Sequence, residues 1–127
     1  MRLLLDTHIA LWAVTASPLL PARAEAAILA AEHVAVSVAS LWEIAIKHAL
    51  GRGDMPVSSA EALDAFEDAG YVLLDIKPAH ALQVERLDAL HRDPFDRLLV
   101  AQAMAEPLIL LTHDVSVGQY GSFVLCV

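Results

Sequence analysis

Cysteine is nearly absent. Cys126 is the only one in 127 residues, which excludes an internal disulfide; in its apolar setting it needs no reactive role. Long hydrophobic runs are also missing. Charge breaks every apolar stretch well before the roughly 18 residues of a membrane-spanning helix, so no membrane partner is expected. Met1 and Arg2 are followed by only three leucines before Asp6, too little for a secretory leader, and a cytoplasmic location is expected. Bases are scarce: 8 Lys and Arg stand against 16 Asp and Glu, for a net charge of −8. That argues against a broad basic nucleic-acid surface. It does not exclude a metal-dependent enzyme, whose ligands are themselves acids. No repeat, low-complexity tract or block of like charge is present.

Apolar residues are abundant, at 57% of the chain. Much of this is alanine. Such a surplus fits either an Ala-rich core or a sticky face covered by a partner. The segment bearing Ile9, Leu11, Trp12 and Val14 is the expected partner surface, with Trp12 the side chain expected to stay outside the core. The length suits one domain spanning 1–127, with enough chain for a real core.

RLLLD at 2–6 reads as a buried strand ending in an acid. Helices are expected over 8–14 and 21–31, then a strand at 34–37. Ser37 or Ser40 caps the next helix, which carries LWEIAIKHAL and is stopped by Gly51. A turn-rich loop, GRGDMP, leads to a capped helix at 58–70. A strand at 71–75, a helix over 79–89 opened by Pro78, a helix over 93–106, and strands at 107–112 and 122–127 complete the reading. Strands that are apolar throughout and alternate with helices predict a parallel sheet covered on both faces, a three-layer α/β/α fold with five strands. Ligands in such folds bind beyond the carboxyl ends of the strands. The first strand ends at Asp6 and the fourth at Thr112-His113-Asp114. The helix after the second strand carries Glu43, and the helix before the fourth begins with Asp93 and Asp96.

The stretch DPFDRLLVAQA raises a particular question. Asp93 followed by Pro94 and a run of helix formers is a helix start, with Asp93 as N-cap. Asp96 is then a second acid at the same helix end. It either shares the capping or holds a cation. Glu43 points the same way. It has Lys47 at i+4, a favourable ion pair, yet sits among Leu41, Trp42, Ile44, Ala45 and Ile46. Asp114 could simply cap a turn over Val115–Gly118, and Asp6 could be a strand-end turn residue. His8 and His113 flank the acids, but no spacing marks them as zinc ligands. Carboxylates crowded into one cleft stay ionised together only beside a cation. Hard oxygen donors suit Mg²⁺ or Mn²⁺, which activate water and stabilise in-line displacement at a phosphodiester.

LLLDTH (3–8), SVASLWEIAIKHALG (37–51), HRDPFDRLLVAQAMAE (91–106) and LLTHD (110–114) together resemble the PIN-domain proteins, in detail the VapC-type toxins of bacterial toxin–antitoxin pairs. The resemblance spans essentially the whole chain. It implies a five-stranded parallel sheet between helices and a Mg²⁺- or Mn²⁺-dependent endoribonuclease. It also implies inhibition by a VapB-like antitoxin over the active-site groove, and a homodimer. By motif position it assigns the acidic site to Asp6, Glu43, Asp96 and Asp114, with Thr7 and Thr112 as supporting hydroxyls. Asp93 belongs to the DPFDR variant of the motif. The chain departs from the pattern at Val117, where the family usually places an aromatic. Lys47, Arg52, Arg92 and Arg97 are the basic residues expected to hold the RNA backbone.

Two other readings compete. A strand ending in Asp also begins haloacid-dehalogenase and receiver-type proteins. The first needs an Asp where His8 stands; the second needs an acidic pair that is missing, although Asp75 could mimic its acceptor. A catalytically degenerate PIN module that only binds a partner is the remaining alternative.

Overall fold

The computed structural model describes residues 1–127. Five strands form one sheet: β1 (Arg2–Leu5), β2 (His33–Ser37), β3 (Val72–Leu74), β4 (Ile109–Thr112) and β5 (Val124–Cys126). Their order is β3-β2-β1-β4-β5 and every pairing is parallel. Six helices connect them: α1 (Thr7–Val14), α2 (Ala22–Ala30), α3 (Val38–Ala49), α4 (Ser59–Asp68), α5 (Pro78–Arg86) and α6 (Pro94–Ala105). A 3-10 turn over Val117–Tyr120 precedes β5. No helix is long and apolar enough to cross a membrane.

The alternation of side chains along a strand explains the layers. Leu3 and Leu5 face a core shared with Ile9, Leu11, Ala24, Ile44, Ala62 and Phe66, which belong to α1, α2, α3 and α4. Leu4 points the other way, into a core with Leu99, Val100 and Ala103 of α6 and with Val117. All three leucines are fully buried. Each is worth about 1.5–3 kcal/mol of burial, so the central strand is anchored from both sides. α5 packs outside α6.

Helix ends follow the expected chemistry. Ser37 caps α3 by accepting from the Ala39 N–H. Gly51 has φ +73°, beyond the reach of most side chains, and there the Arg52 N–H donates back to the Lys47 carbonyl to close α3. Several boundaries differ from expectation by a residue or more, and two have a plain local cause. α5 stops at Arg86 because Leu87 is extended, at ψ 142°. β4 starts at Ile109 because Pro107, which lacks an N–H, lies in the preceding turn. Ile9 and Leu11 are core residues, and Trp12 and Val14 are half-buried against them. The large apolar side chains that stand exposed include Leu29, Trp42 and Leu50.

Candidate metal centre

β1 lies between β2 and β4, so the connections run outward in both directions from it. This is the switch point at which open α/β sheets form a crevice at their carboxyl edge. Asp6 sits there, immediately after β1. Its amide donates to the Leu111 carbonyl of β4 at 3.0 Å. One carboxylate oxygen caps α1, accepting from the Ile9 N–H at 2.9 Å. The other accepts from the Thr112 hydroxyl at 2.5 Å. Burial pushes the Asp6 carboxyl above its ordinary pKa, against the pull of these donors. The Thr112 oxygen accepts in turn from the Asp114 N–H at 3.0 Å, so one hydroxyl ties both acids to the end of β4.

Thr7 begins α1, and its hydroxyl donates to Glu43 Oε1 at 2.6 Å while lying 2.9 Å from Ser40 Oγ. Glu43 is buried on α3, with only 3% of its surface exposed. Its second oxygen takes Lys47 Nζ at 2.5 Å. The i+4 pair expected on the helix surface therefore exists, but inside the protein. The Lys47 ammonium also stands 6.0 Å from the Phe95 ring centroid, and Phe95 packs edge-on against Trp42.

Asp93 is the N-cap of α6. Its Oδ1 accepts from the N–H groups of Phe95 (2.9 Å) and Asp96 (3.3 Å). Asp96, one turn in, turns its carboxylate to His91 Nε2 at 2.8 Å. Its pKa is raised from 3.8 to about 6. Burial is the main cause, and the charges of Asp93 and Asp6 add to it. Asp114 is half-exposed and held by Ser116, whose N–H and Oγ–H both donate to Asp114 Oδ1 at 2.9 and 2.7 Å. Those bonds keep its carboxyl below the usual range. The turn-capping role considered for Asp114 is thus present, but it uses Oδ1 and leaves Oδ2 facing His91 at 3.7 Å.

Asp6 and Asp114 line one cleft together with His8, Trp12 and His113. Ligand atoms of His91, Asp96 and Asp114 all lie within 4.8 Å of one another. Two carboxylates that close to each other and to an imidazole, with Asp96 reluctant to ionise, fit a divalent cation. His8 and His113 go elsewhere: His8 Nε2 pairs with Asp54 at 3.2 Å, and His113 Nδ1 meets the Val127 carbonyl.

The four expected RNA contacts are placed differently from one another. Lys47 neutralises Glu43. Arg52 lies in an exposed fork on Asp54, at 2.9 and 3.1 Å. Arg97 reaches the carbonyls of Val84, Asp88 and His91 and the Tyr120 hydroxyl, stapling the α5–α6 connection to the end of the chain. Arg92 is exposed and unpaired. His91 and Ser116 were not singled out in the sequence. Both act from irregular segments, where no periodic spacing points to them. The only signal was their closeness to Asp93 and Asp114 along the chain.

An all-parallel 3-2-1-4-5 sheet with acids gathered at its switch point defines an α/β protein of the PIN architecture. The sequence profile of the PIN domain matches residues 3–121, and the chain belongs to that family. The fold is similar to that of VapBC2 from Rickettsia felis bound to a DNA fragment from its promoter, at 18% identity and a TM-score of 0.72, covering 100% of this chain and 98% of that one. It is also similar to DNA-bound VapBC from Salmonella typhimurium, at 16% identity and a TM-score of 0.68, covering 100% and 97%. A toxin–antitoxin complex from Klebsiella pneumoniae matches at 18% identity and a TM-score of 0.65, covering 98% and 96%. No curated protein matches the chain.

Proposed function

We propose that this chain is a divalent-metal-dependent endoribonuclease, the VapC-type toxin of a toxin–antitoxin pair. One observation carries the reading: Asp6, Asp96 and Asp114 converge at the switch point of a PIN fold, where burial and the charges of Asp93 and Asp6 raise the Asp96 carboxyl to about 6. Asp6, Asp96 and Asp114 would hold Mg²⁺ or Mn²⁺, with Glu43 supporting from beneath through Thr7. The cation, when bound, supplies an activated water and charge stabilisation at the phosphodiester.

The chain's own residues do the rest. Thr112 holds Asp6 and the backbone of Asp114 in a fixed relation. Asp93 fixes the first turn of α6 and so the direction of Asp96. Lys47 pairs with Glu43 inside the protein and holds its carboxylate in place. Arg92, beside the DPFD turn, is free to meet a backbone phosphate. The net charge of −8 is no obstacle, because the substrate is drawn to the metal rather than to a basic surface.

The similar structures include a toxin–antitoxin complex and a DNA-bound VapBC. An antitoxin that covers the acidic cleft, and a homodimer, are the partners proposed here. The exposed Trp42 beside the α6 start offers such a partner an apolar anchor. The decisive experiment is cleavage of a structured RNA by purified protein with Mg²⁺, with Mn²⁺ and with excess EDTA, beside Asp6→Asn. Cleavage only with metal and only by the unsubstituted protein is expected. Equal cleavage in EDTA sinks the metal mechanism. A folded, metal-binding protein that cuts no RNA favours the partner-binding module instead. A clean monomer by light scattering at micromolar concentration counts against the dimer.

A further inference from the structure

We propose that His91 is a nitrogen ligand of the metal, so that the centre is a mixed oxygen–nitrogen site biased toward late first-row cations over Mg²⁺. The inference rests on the metal-centre reading above and adds to it a residue outside the four acids.

Ser116 Oγ stands between Asp114 and His91. Its hydroxyl has one proton, and the 2.7 Å contact to Asp114 Oδ1 takes it. Ser116 Oγ therefore accepts at its 3.1 Å contact with His91, and His91 Nδ1 carries a hydrogen. In the neutral ring this places the lone pair on Nε2. That atom lies 2.8 Å from Asp96 Oδ2 and 3.7 Å from Asp114 Oδ2. One nitrogen and two carboxylate oxygens, all within 4.8 Å of one another, thus face a common point that a cation can share.

The remaining features are those of a ligating histidine. One ring nitrogen is fixed by an outer partner, which sets the tautomer and the ring plane. The outer partner, Ser116, also orients the second carboxylate. The loop is held in place, because Arg97 grips the His91 carbonyl. The side chain is mostly buried, at 18% exposure. No comparable case exists for His8 or His113, whose rings contact Trp12 and whose nitrogens face Asp54 and a backbone carbonyl. Imidazole favours the later transition ions, whereas Mg²⁺ prefers oxygen and water.

The test is pulsed EPR of Mn²⁺ bound to the full chain, with calorimetric titration of Co²⁺ and Mg²⁺. Nitrogen coupling to Mn²⁺ is expected, with frequencies that shift when the histidines are ¹⁵N-labelled. His91→Gln should abolish the coupling and His113→Gln should keep it. His91→Gln should weaken Co²⁺ binding by about tenfold or more and Mg²⁺ binding far less. Ser116→Ala keeps the ring but frees it, and should weaken Co²⁺ binding in the same sense; it serves if His91→Gln melts early without metal. Absence of nitrogen coupling in the unsubstituted protein, its persistence in His91→Gln, or equal losses for Co²⁺ and Mg²⁺ overturns the inference. Metal-dependent RNA cleavage without nitrogen coupling defeats His91 as ligand and leaves the nuclease standing. Nitrogen-coupled Mn²⁺ in a protein that cuts nothing does the reverse.

Discussion

Thr112 donates its hydroxyl proton to Asp6 across the β1–β4 junction, joining the ends of two neighbouring parallel strands. The acceptor is a carboxylate whose burial already opposes its charge. Thr112→Val keeps the shape and removes the donor. It should cost about 1–3 kcal/mol, the range for a buried acceptor left unpaired, and lower metal affinity because Asp6 is freed to turn. Thr112→Ser should restore most of both. Chemical denaturation and metal titration of the pair check this. A valine variant as stable as its parent would show that the bond contributes nothing net.

The raised pKa of Asp96 makes the metal-free protein sensitive to pH. Its folded value is about 6 against an ordinary 3.8, so between those values the native state binds more protons than the unfolded chain. Stability from this group is present at low pH and lost as pH rises through about 6. Asp96→Asn should therefore raise the melting temperature in chelator at pH 7 and confer no such gain at pH 4. The gain should disappear when Mn²⁺ is added, because only the unsubstituted protein binds it well. A gain equal at both pH values would point to packing rather than charge.

Asp93 and Asp96 divide the work at the start of α6. Asp93→Asn keeps a good cap and should lose little stability and only part of the activity. Asp93→Ala should lose about 1 kcal/mol, the usual value of a helix cap. Asp96→Asn should lose most activity. RNA cleavage measured beside melting curves for the three variants decides the assignment. A dead Asp93→Asn with a fully active Asp96→Asn reverses the two roles.

Arg92 and Arg97 should separate binding from stability. Arg97→Ala breaks the contacts to Val84, Asp88, His91 and Tyr120, so it should lower the melting temperature and open the 84–92 segment to proteases. Arg92→Ala should leave both unchanged and weaken RNA binding, reducing the salt slope by about one. The salt dependence is best read on an Asp6→Asn background, where RNA stays whole. An unchanged slope removes Arg92 from the phosphate path.

What the sequence disclosed about this site depended on how local each cause was. Asp93 as cap follows from its immediate neighbours, and the structure shows the cap bonds. Glu43 stood out because a lone acid in an apolar helix has to be answered by something, here Thr7 and Lys47. The parallel sheet followed from strands apolar on both faces, of which Leu3, Leu4 and Leu5 are the clearest case. Arg97 reads as a phosphate ligand in the sequence because a basic residue beside acids gives no hint of the carbonyls that α5 and the segment after it fold over it. His91 was invisible for a similar reason: its partners Asp96 and Ser116 come from two different segments. Val117, which departs from the aromatic of the motif, is buried in the core that holds Leu4 and Leu110, and the Tyr120 hydroxyl accepts from Arg97.

The bond between Thr112 and Asp6 spans 106 residues, and that separation has a meaning for the chain while it is being made. β1 needs β4 as a neighbour, yet β4 leaves the ribosome after β2, β3 and all six helices. Domains form from the N-terminal end during synthesis, but this pairing has to wait. A growing chain carries Asp6 and Glu43 early but lacks the Thr112 hydroxyl and the Leu111 carbonyl that tie Asp6 to β4. Asp96, Thr112 and Asp114 arrive last. The acidic cluster at the sheet edge is therefore complete only once β4 has been made and paired with β1.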